Sequence, residues 1–228
     1  MTPQDAEKIS ESIQAGYNAV ASDFSRTRQK MWPEVVEQAE LIPEGSRVLD
    51  LGCGNGRLYQ LFQGKTIEYL GIDISAGLIA EAQKKYPNAK DYFQVGDTLK
   101  TNLPDSIIDT VFSIAVLHHL PSETVRRQAI NEMFRLLKPQ GIAIITVWNL
   151  WRPKFWITHL KTLLKQSRLE NITLTAGDIL IPWNTGDKFM RYHHAFTLRE
   201  LKKMLNHAGF QVMHTTKADN IMIIAKKP

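Results

Sequence analysis

Apolar runs of strand length alternate with helical patterns along most of this chain, the signature of an α/β protein with a mostly parallel sheet. Residues 47–51 read as a short buried strand that runs into a glycine loop. Residues 67–73 read as the second strand, followed by a helix from Ala76 to Tyr86. Residues 91–95, 107–115 and 142–148 read as the third, fourth and fifth. Between the last two, Ser122 is placed as the N-cap of a helix running to Leu137, with Pro139 beyond its end. Ahead of the first strand, from about Asp5 to Glu40, the pattern is helical with a break near residues 25–28. After the fifth strand, residues 149–188 lose the rhythm and read as an insertion. Thr197-Leu198-Arg199-Glu200 has the form of a capping box, which predicts a last helix from Leu198 to His207, stopped at Gly209. Residues 210–215 and 220–226 read as a closing strand pair. The expectation is a Rossmann-like α/β fold: seven strands, helices on both faces, and a ligand beyond the carboxyl ends of the strands.

Composition narrows the class. The chain has 228 residues, the size of one domain with room for an insertion, and 43% are hydrophobic against 22% charged, which excludes disordered and fibrous classes. A net charge of +5 favours an anionic partner without proving one. The single cysteine, Cys53, excludes a disulfide framework and a thiolate zinc cage. The N-terminus has neither a basic nor an apolar leader segment, and no apolar run is long enough for a membrane helix. The expectation is a soluble, cytoplasmic protein with no membrane partner.

Candidate chemistry sits at the strand ends. Asp50 stands before Gly52-Cys53-Gly54-Asn55-Gly56, and Asp73 closes the second strand, with Ile74 next to it. A glycine loop after a strand lets a ligand approach the backbone closely, and Asp73 lies where a carboxylate accepts from both hydroxyls of a ribose. The G-x-G-x-G spacing is tighter than the dinucleotide pattern. An acid directly before the loop is awkward for a pyrophosphate but suits a ligand carrying ammonium and sulfonium cations. Asp97, beside Thr98, is placed to accept from an adenine amino group. Ordinary N-cap acids in a tight turn are the bland alternative, which three acids at three successive strand ends argue against. Cys53 reads as a small packing residue and not a reactive thiol.

These motifs resemble the class I S-adenosylmethionine-dependent methyltransferases, and further pieces resemble a narrower group, the tRNA wobble-uridine methyltransferases that esterify 5-carboxymethyluridine. The pieces are Tyr17 through Arg28, Trp32-Pro33, Ser113 through Leu120, Arg126-Arg127, Ile181-Pro182-Trp183 and Arg191 through Phe196. Lys138-Pro139-Gln140-Gly141 departs from the family's Pro-Gly-Gly turn. The resemblance implies S-adenosylmethionine as cofactor, tRNA as partner, and residues 1–40 as a helical lid whose Tyr17 and Arg28 fold over the cofactor. It also implies Ile114 and Ala115 in the cofactor site. His118 and His119 read as lining its floor, with His119 nearer the methyl group. Eukaryotic members of the group work with a small zinc-binding activator protein, and no residue pattern here assigns such a partner a surface.

Transfer of a methyl group from a sulfonium is an in-line displacement, which rests on alignment. A carboxylate nucleophile is ionised at neutral pH and needs no general base, so binding groups are expected and not a catalytic triad. Trp183, Arg191, Tyr192 and His193 are the candidates: Arg191 and His193 to hold the acid, Trp183 or Tyr192 to stack a uracil. The plainer readings are a buried anchor for Trp183 and a surface ion pair for Arg191. No metal site is expected, since adjacent His118 and His119 side chains should point apart.

Residues 133–169 carry Arg135, Lys138, Arg152, Lys154, Lys161, Lys165 and Arg168 with no acid, interleaved with Trp151, Phe155 and Trp156. Such a mixture suits a phosphate backbone with unstacked bases. Ile157, Leu160, Leu163 and Leu164 recur at helical spacing and predict one inward face. A solvated amphipathic helix ranks second for this stretch and a membrane-surface helix last.

Overall fold

A computed structural model gives the fold, and it describes residues 1–165, 174, 175, 177–183 and 189–228, with the side chains of 163–165 outside the described set. The chain opens with three helices: α1 (Pro3–Ala19), α2 (Ala21–Thr27) and α3 (Pro33–Glu40). Thr2 and Asp5 form a reciprocal capping box at the start of α1. The helical segment breaks twice, at Val20 and again after Arg28, where one break is expected.

The strands are β1 (Arg47–Leu51), β2 (Glu68–Asp73), β3 (Phe93–Val95), β4 (Ile108–Ile114) and β5 (Leu137–Trp148). β8 (Gln211–Lys217) and β9 (Asn220–Lys226) close the sheet, whose order is β3-β2-β1-β4-β5-β9-β8. β1 to β5 run parallel, β9 runs antiparallel beside β5, and β8, antiparallel to β9, runs in the direction of β1 to β5. The strand order reverses between β1 and β4, which puts the ligand crevice above their carboxyl ends. β3 is shorter than expected because Pro87 through Tyr92 form a 3-10 turn. β5 is longer, starting where the preceding helix ends.

Helices cover both faces. α4 (Ala76–Lys85), capped by Ser75, and α3 bury Ile79, Ala82 and Val35 with Phe93 and Phe112 on one face. α5 (Glu123–Leu136), capped by Ser122, and α7 (Leu198–His207), with Thr197 and Glu200 as capping box, bury Ile130, Met133 and Leu205 on the other. Sequence reasoning places a helix straight after the glycine loop. The chain there makes turns and one 3-10 turn, Tyr59–Leu61.

The insertion contains α6 (Trp156–Lys165) and β6 (Asp178–Pro182). β6 pairs antiparallel with β7 (Met190–His194), giving a second, two-stranded sheet that the hydrophobic pattern does not reveal. Ile9 and Ile13 of α1 pack on Tyr192 of β7, so the N-terminal helix and the insertion share a small core above the strand ends. Among the described residues no helix is long and apolar enough to cross a membrane.

One expectation about the insertion fails at the two of its four residues whose side chains are described. Ile157 and Leu160 do not face inward: they are 67% and 58% exposed, with Trp156 beside them at 63%. The inward contacts of α6 are polar, with His159 Nε2 donating to the Leu150 carbonyl and Thr162 Oγ1 accepting from Leu180 N. The side chains of Leu163, Leu164 and Lys165, and all of Arg168, lie outside the described residues.

Candidate active site

A cavity of about 720 Å³ opens at the carboxyl ends of β1, β2 and β4. Its floor is the glycine loop. Gly52 adopts φ +80°, and a Cβ there would strike Val116 at 2.3 Å, so only glycine carries the chain through this turn. Gly54 and Cys53 line the cavity beside it, the thiol buried and its pKa raised well above the usual range by burial, as an inert packing residue requires.

Asp73 is the hub of this floor. Its Oδ2 accepts from Gly54 N and its Oδ1 from Ser75 N, each at 2.9 Å. Each carboxylate oxygen accepts two bonds, so one site on each remains for a ligand. Burial raises its pKa, and the two amide bonds oppose the rise. Ile74, Asp97, Thr98, Ile114 and Ala115 line the same space. Asp97 is exposed and spends only Oδ1 on its own turn, accepting from Leu99 N at 2.8 Å. Ala115 holds φ +62°, strained for a residue with a Cβ, exposing backbone at the β4 end.

The structure moves two predicted cofactor residues off the wall. Asp50 is buried beneath the loop, its Oδ2 accepting from Tyr69 Oη at 2.8 Å, and burial pushes its pKa to about 7. Gly56, at φ +68°, has no place on the cavity wall: a Cβ there would meet Phe93 at 2.7 Å, so this glycine serves packing.

Helices α1 and α2 roof the cavity. Tyr17 and Arg28 line it, with Phe24, which sequence reasoning left without a role. The roof is tied down by residues to which sequence reasoning assigned no role: Gln14 Nε2 donates to the Ile74 carbonyl, and Asn18 Oδ1 accepts from Ser75 Oγ and Gly77 N. Only their distance in the chain from the strand ends hid them. Arg57 and Trp148 also join the wall unforeseen.

The far wall brings Tyr17, His119 and Arg191 together. His119 Nδ1 lies 3.1 Å from the Tyr192 carbonyl and so carries the proton, and Nε2 accepts from Tyr17 Oη at 2.9 Å. Burial drives the His119 pKa down to about 4, so the ring is neutral. The Arg191 guanidinium lies beside the same tyrosine, and its Nη2 donates to the Pro182 carbonyl at 3.4 Å. The chain of contacts closes on itself, from the Arg191 side chain through Tyr17 and His119 to the main chain of the next residue.

Arg191 is 7% exposed and lies between two indoles, 4.8 Å from the Trp183 ring and 5.7 Å from Trp148. Burial lowers its pKa, Tyr17 opposes the shift, and no carboxylate among the described residues pairs with it. Trp183 itself is an anchor and not an open stacking wall. It is 4% exposed, donates from Nε1 to Asp23 Oδ2 at 3.0 Å, and stacks on Phe24 and Phe189. Tyr192 and His193 are likewise buried off the cavity. Tyr192 Oη donates to Asp178 Oδ1 at 2.6 Å, and His193 Nδ1 donates to the Arg191 carbonyl. His118 and His119 do not point apart: their centroids are 4.5 Å apart, with His193 against both.

A second buried network holds β6 and β7 to α7. His194 Nδ1 donates to Asp178 Oδ1 at 2.9 Å and Nε2 to Glu200 Oε1 at 2.8 Å. Burial alone would lower the His194 pKa, and the two carboxylates outweigh it, so the net shift is upward. The same contacts overcome burial at Asp178 and Glu200 and hold both below the usual range.

An open sheet with this loop and a ribose-ready acid at the second strand defines the class I S-adenosylmethionine-dependent methyltransferases. A family model described as a methyltransferase domain matches residues 49–145. A structure of S-adenosylmethionine-dependent methyltransferases from Methanosarcina mazei superposes with a TM-score of 0.71 at 22% identity, over 87% of this chain and 98% of that one. Residues 49–145 thus match a methyltransferase domain, and the fold is the one seen in S-adenosylmethionine-dependent methyltransferases. Among curated relatives, a tRNA (carboxymethyluridine(34)-5-O)-methyltransferase of Arabidopsis thaliana is 38% identical over 64% of this chain and 34% of its own length. One of the same description from Schizosaccharomyces pombe is 28% identical over 98% of this chain and 99% of its own. The chain thus spans about a third of the Arabidopsis relative and nearly all of the fission yeast one. A Haloferax volcanii methyltransferase in complex with the Trm112 methyltransferase activator matches with a TM-score of 0.67 at 18% identity, over 95% of this chain and 97% of that one.

Proposed function

We propose that this protein works in the cytoplasm and methylates the carboxylate of 5-carboxymethyluridine at the wobble position of tRNA, giving the methyl ester. The observation that carries the proposal is Arg191, a buried cation on the cavity wall that no carboxylate among the described residues pairs with. Burying a cation is costly unless an anion meets it, and a substrate carboxylate supplies one.

The cofactor, when bound, supplies an electrophilic methyl group on a sulfonium. This chain's own residues do the rest. Arg191 holds the carboxylate, with Tyr17 packed beside the guanidinium and itself held by His119. Neutral His119 adds no second charge, which matters because carboxylate and sulfonium charges cancel as the bond forms. Excess positive charge would stabilise the separated ions more than the transition state. The aromatic roof of Tyr17 and Phe24 keeps water from the cavity.

For RNA, the support is the outer face of α6, where Lys154 and Lys161 flank exposed Trp156, Ile157 and Leu160, and where Lys154 and Phe155 form part of the cavity rim. Lys165 and Arg168 extend the basic run in the sequence. For an activator protein, the support is the β3 edge of the sheet, where Val95 is 57% exposed.

The test is nucleoside mass spectrometry of bulk tRNA incubated with the protein and labelled cofactor, with and without a candidate activator. The expected product is labelled methyl ester of carboxymethyluridine, removed by mild alkali. Arg191→Gln should raise KM for tRNA at least about tenfold, the loss of one charged contact, with cofactor affinity unchanged. Bound cofactor without label in any nucleoside would turn the reading to a small-molecule carboxylic acid.

A further inference from the structure

His118 and His119 leave the 3-10 turn after β4 together, and His193 reaches them from β7. One ring nitrogen from each lies within 4.8 Å of the other two, the only such convergence of metal-ligating side chains among the described residues. The ring centroids are 4.5, 4.5 and 5.2 Å apart. Rings bound to one ion through bonds of about 2.1 Å at tetrahedral angles have centroids roughly 5 Å apart, so the spacing already suits three ligands around one centre.

Two of these rings also have unused nitrogens. Nε2 of His118 and Nε2 of His193 are buried without a partner, and both residues are fully buried. A buried polar atom left unpaired costs about 1–3 kcal/mol, and here two lie in one cluster. The opposite nitrogens are tied down. His193 Nδ1 donates to the Arg191 carbonyl and His119 Nδ1 to the Tyr192 carbonyl, each at 3.1 Å. Ligating histidines are held in this way, with one N–H on a main-chain carbonyl and the other nitrogen turned to the ion.

We propose that His118, His119 and His193 form a binding site for a divalent transition-metal ion of the zinc class. Imidazole ligands with no carboxylate among them suit Zn²⁺, Co²⁺, Ni²⁺ or Cu²⁺ and not Mg²⁺ or Ca²⁺. His193 offers its lone pair as it stands. His119 offers Nε2 by releasing the Tyr17 hydroxyl, so the ion and Tyr17 compete for one nitrogen. His118 accepts from Trp148 N at 3.3 Å on Nδ1, which places its proton on Nε2. On ligation that proton moves to Nδ1 through solvent, and the long Trp148 contact is given up. The fourth position faces the cavity that His119 lines. Occupation of the site therefore loosens the hold on Tyr17 beside Arg191, whatever the methyl acceptor.

The test uses the full chain without an affinity tag, stripped with a chelator and titrated with Co²⁺ alone, then Zn²⁺. One equivalent of Co²⁺ should give visible d–d bands, and Zn²⁺ should abolish them. His193→Gln should weaken binding at least about tenfold. Tyr17→Phe, which removes the competitor, should tighten it several-fold, a gain that misfolding cannot produce, and thermal melting checks the fold of both. Absence of bands up to millimolar Co²⁺ would show that the two nitrogens hold water only and would overturn the proposal. Bands unchanged in both variants would do the same, tracing the metal to surface His207 or His214.

Discussion

The two sides of the cavity are built differently. The cofactor side comes from consecutive strand ends, β1, β2 and β3, in under fifty residues of chain, and its key contacts are between a side chain and a neighbouring backbone amide. The far side is assembled from Tyr17, His119 and Arg191, drawn from the two ends and the middle of the sequence, and held by side chains bonded to side chains. The first arrangement is local and rests on the sheet. The second exists only if β6 and β7 are clipped in place.

The comparison breaks most visibly at the clip. Asp178→Ala leaves buried His194 with half its partners, a loss of about 3–5 kcal/mol. A drop in melting temperature of roughly 6–20 °C is expected, while residual cofactor binding at low temperature persists. If cofactor binding vanishes with it, the two sides are one unit. On the cofactor side, Asp73→Ala should weaken cofactor affinity about a hundredfold by calorimetry, near 2.7 kcal/mol, and leave the Tyr17–His119 side folded.

Acidity separates the sides further. The folded pKa of His194 is raised above its unfolded value near 6.5. Its contribution is complete below about pH 6 and fades as pH climbs through the raised value. Asp178 and Glu200 are held low, so theirs fades only as pH falls below the ordinary carboxylate range. Proteolysis near β6 and β7 should therefore accelerate at alkaline pH, with the β1 to β5 region protected. Equal protection at pH 6 and pH 9.5 would refute the clip.

The smallest effect lies where the family turn is altered. Gln140 holds φ +69°, the left-handed region that glycine occupies at little cost. Gln140→Gly should be stabilising by up to about 1 kcal/mol, read as a small rise in melting temperature with no change in cofactor affinity.

Legibility in the sequence follows the same division. The seven strands, the caps at Ser122 and Thr197 and the acids at the strand ends stood out because apolar runs, glycines and capping residues act locally. β6 and β7 did not, because Asp178, Arg191, His193 and His194 are polar residues buried against one another, which defeats a hydrophobic reading. Trp183, Tyr192 and His193 were legible as unusual residues but not as scaffold. Residue type alone cannot tell an open wall from an anchor bonded to Asp23. The inward face of α6 misled for the reverse reason, since half-buried His159 and buried Thr162 make the inward contacts and Ile157 and Leu160 are left outside.

On the proposed reaction, the Arg191 guanidinium between Trp148 and Trp183 also has a consequence for turnover. A carboxylate acceptor arrives as an anion and departs as a neutral ester. The grip of Arg191 is thus strongest before methylation and is cancelled by methylation itself. The site discharges its own product without a moving part, and an ester accumulating in solution is a poor inhibitor of the next round.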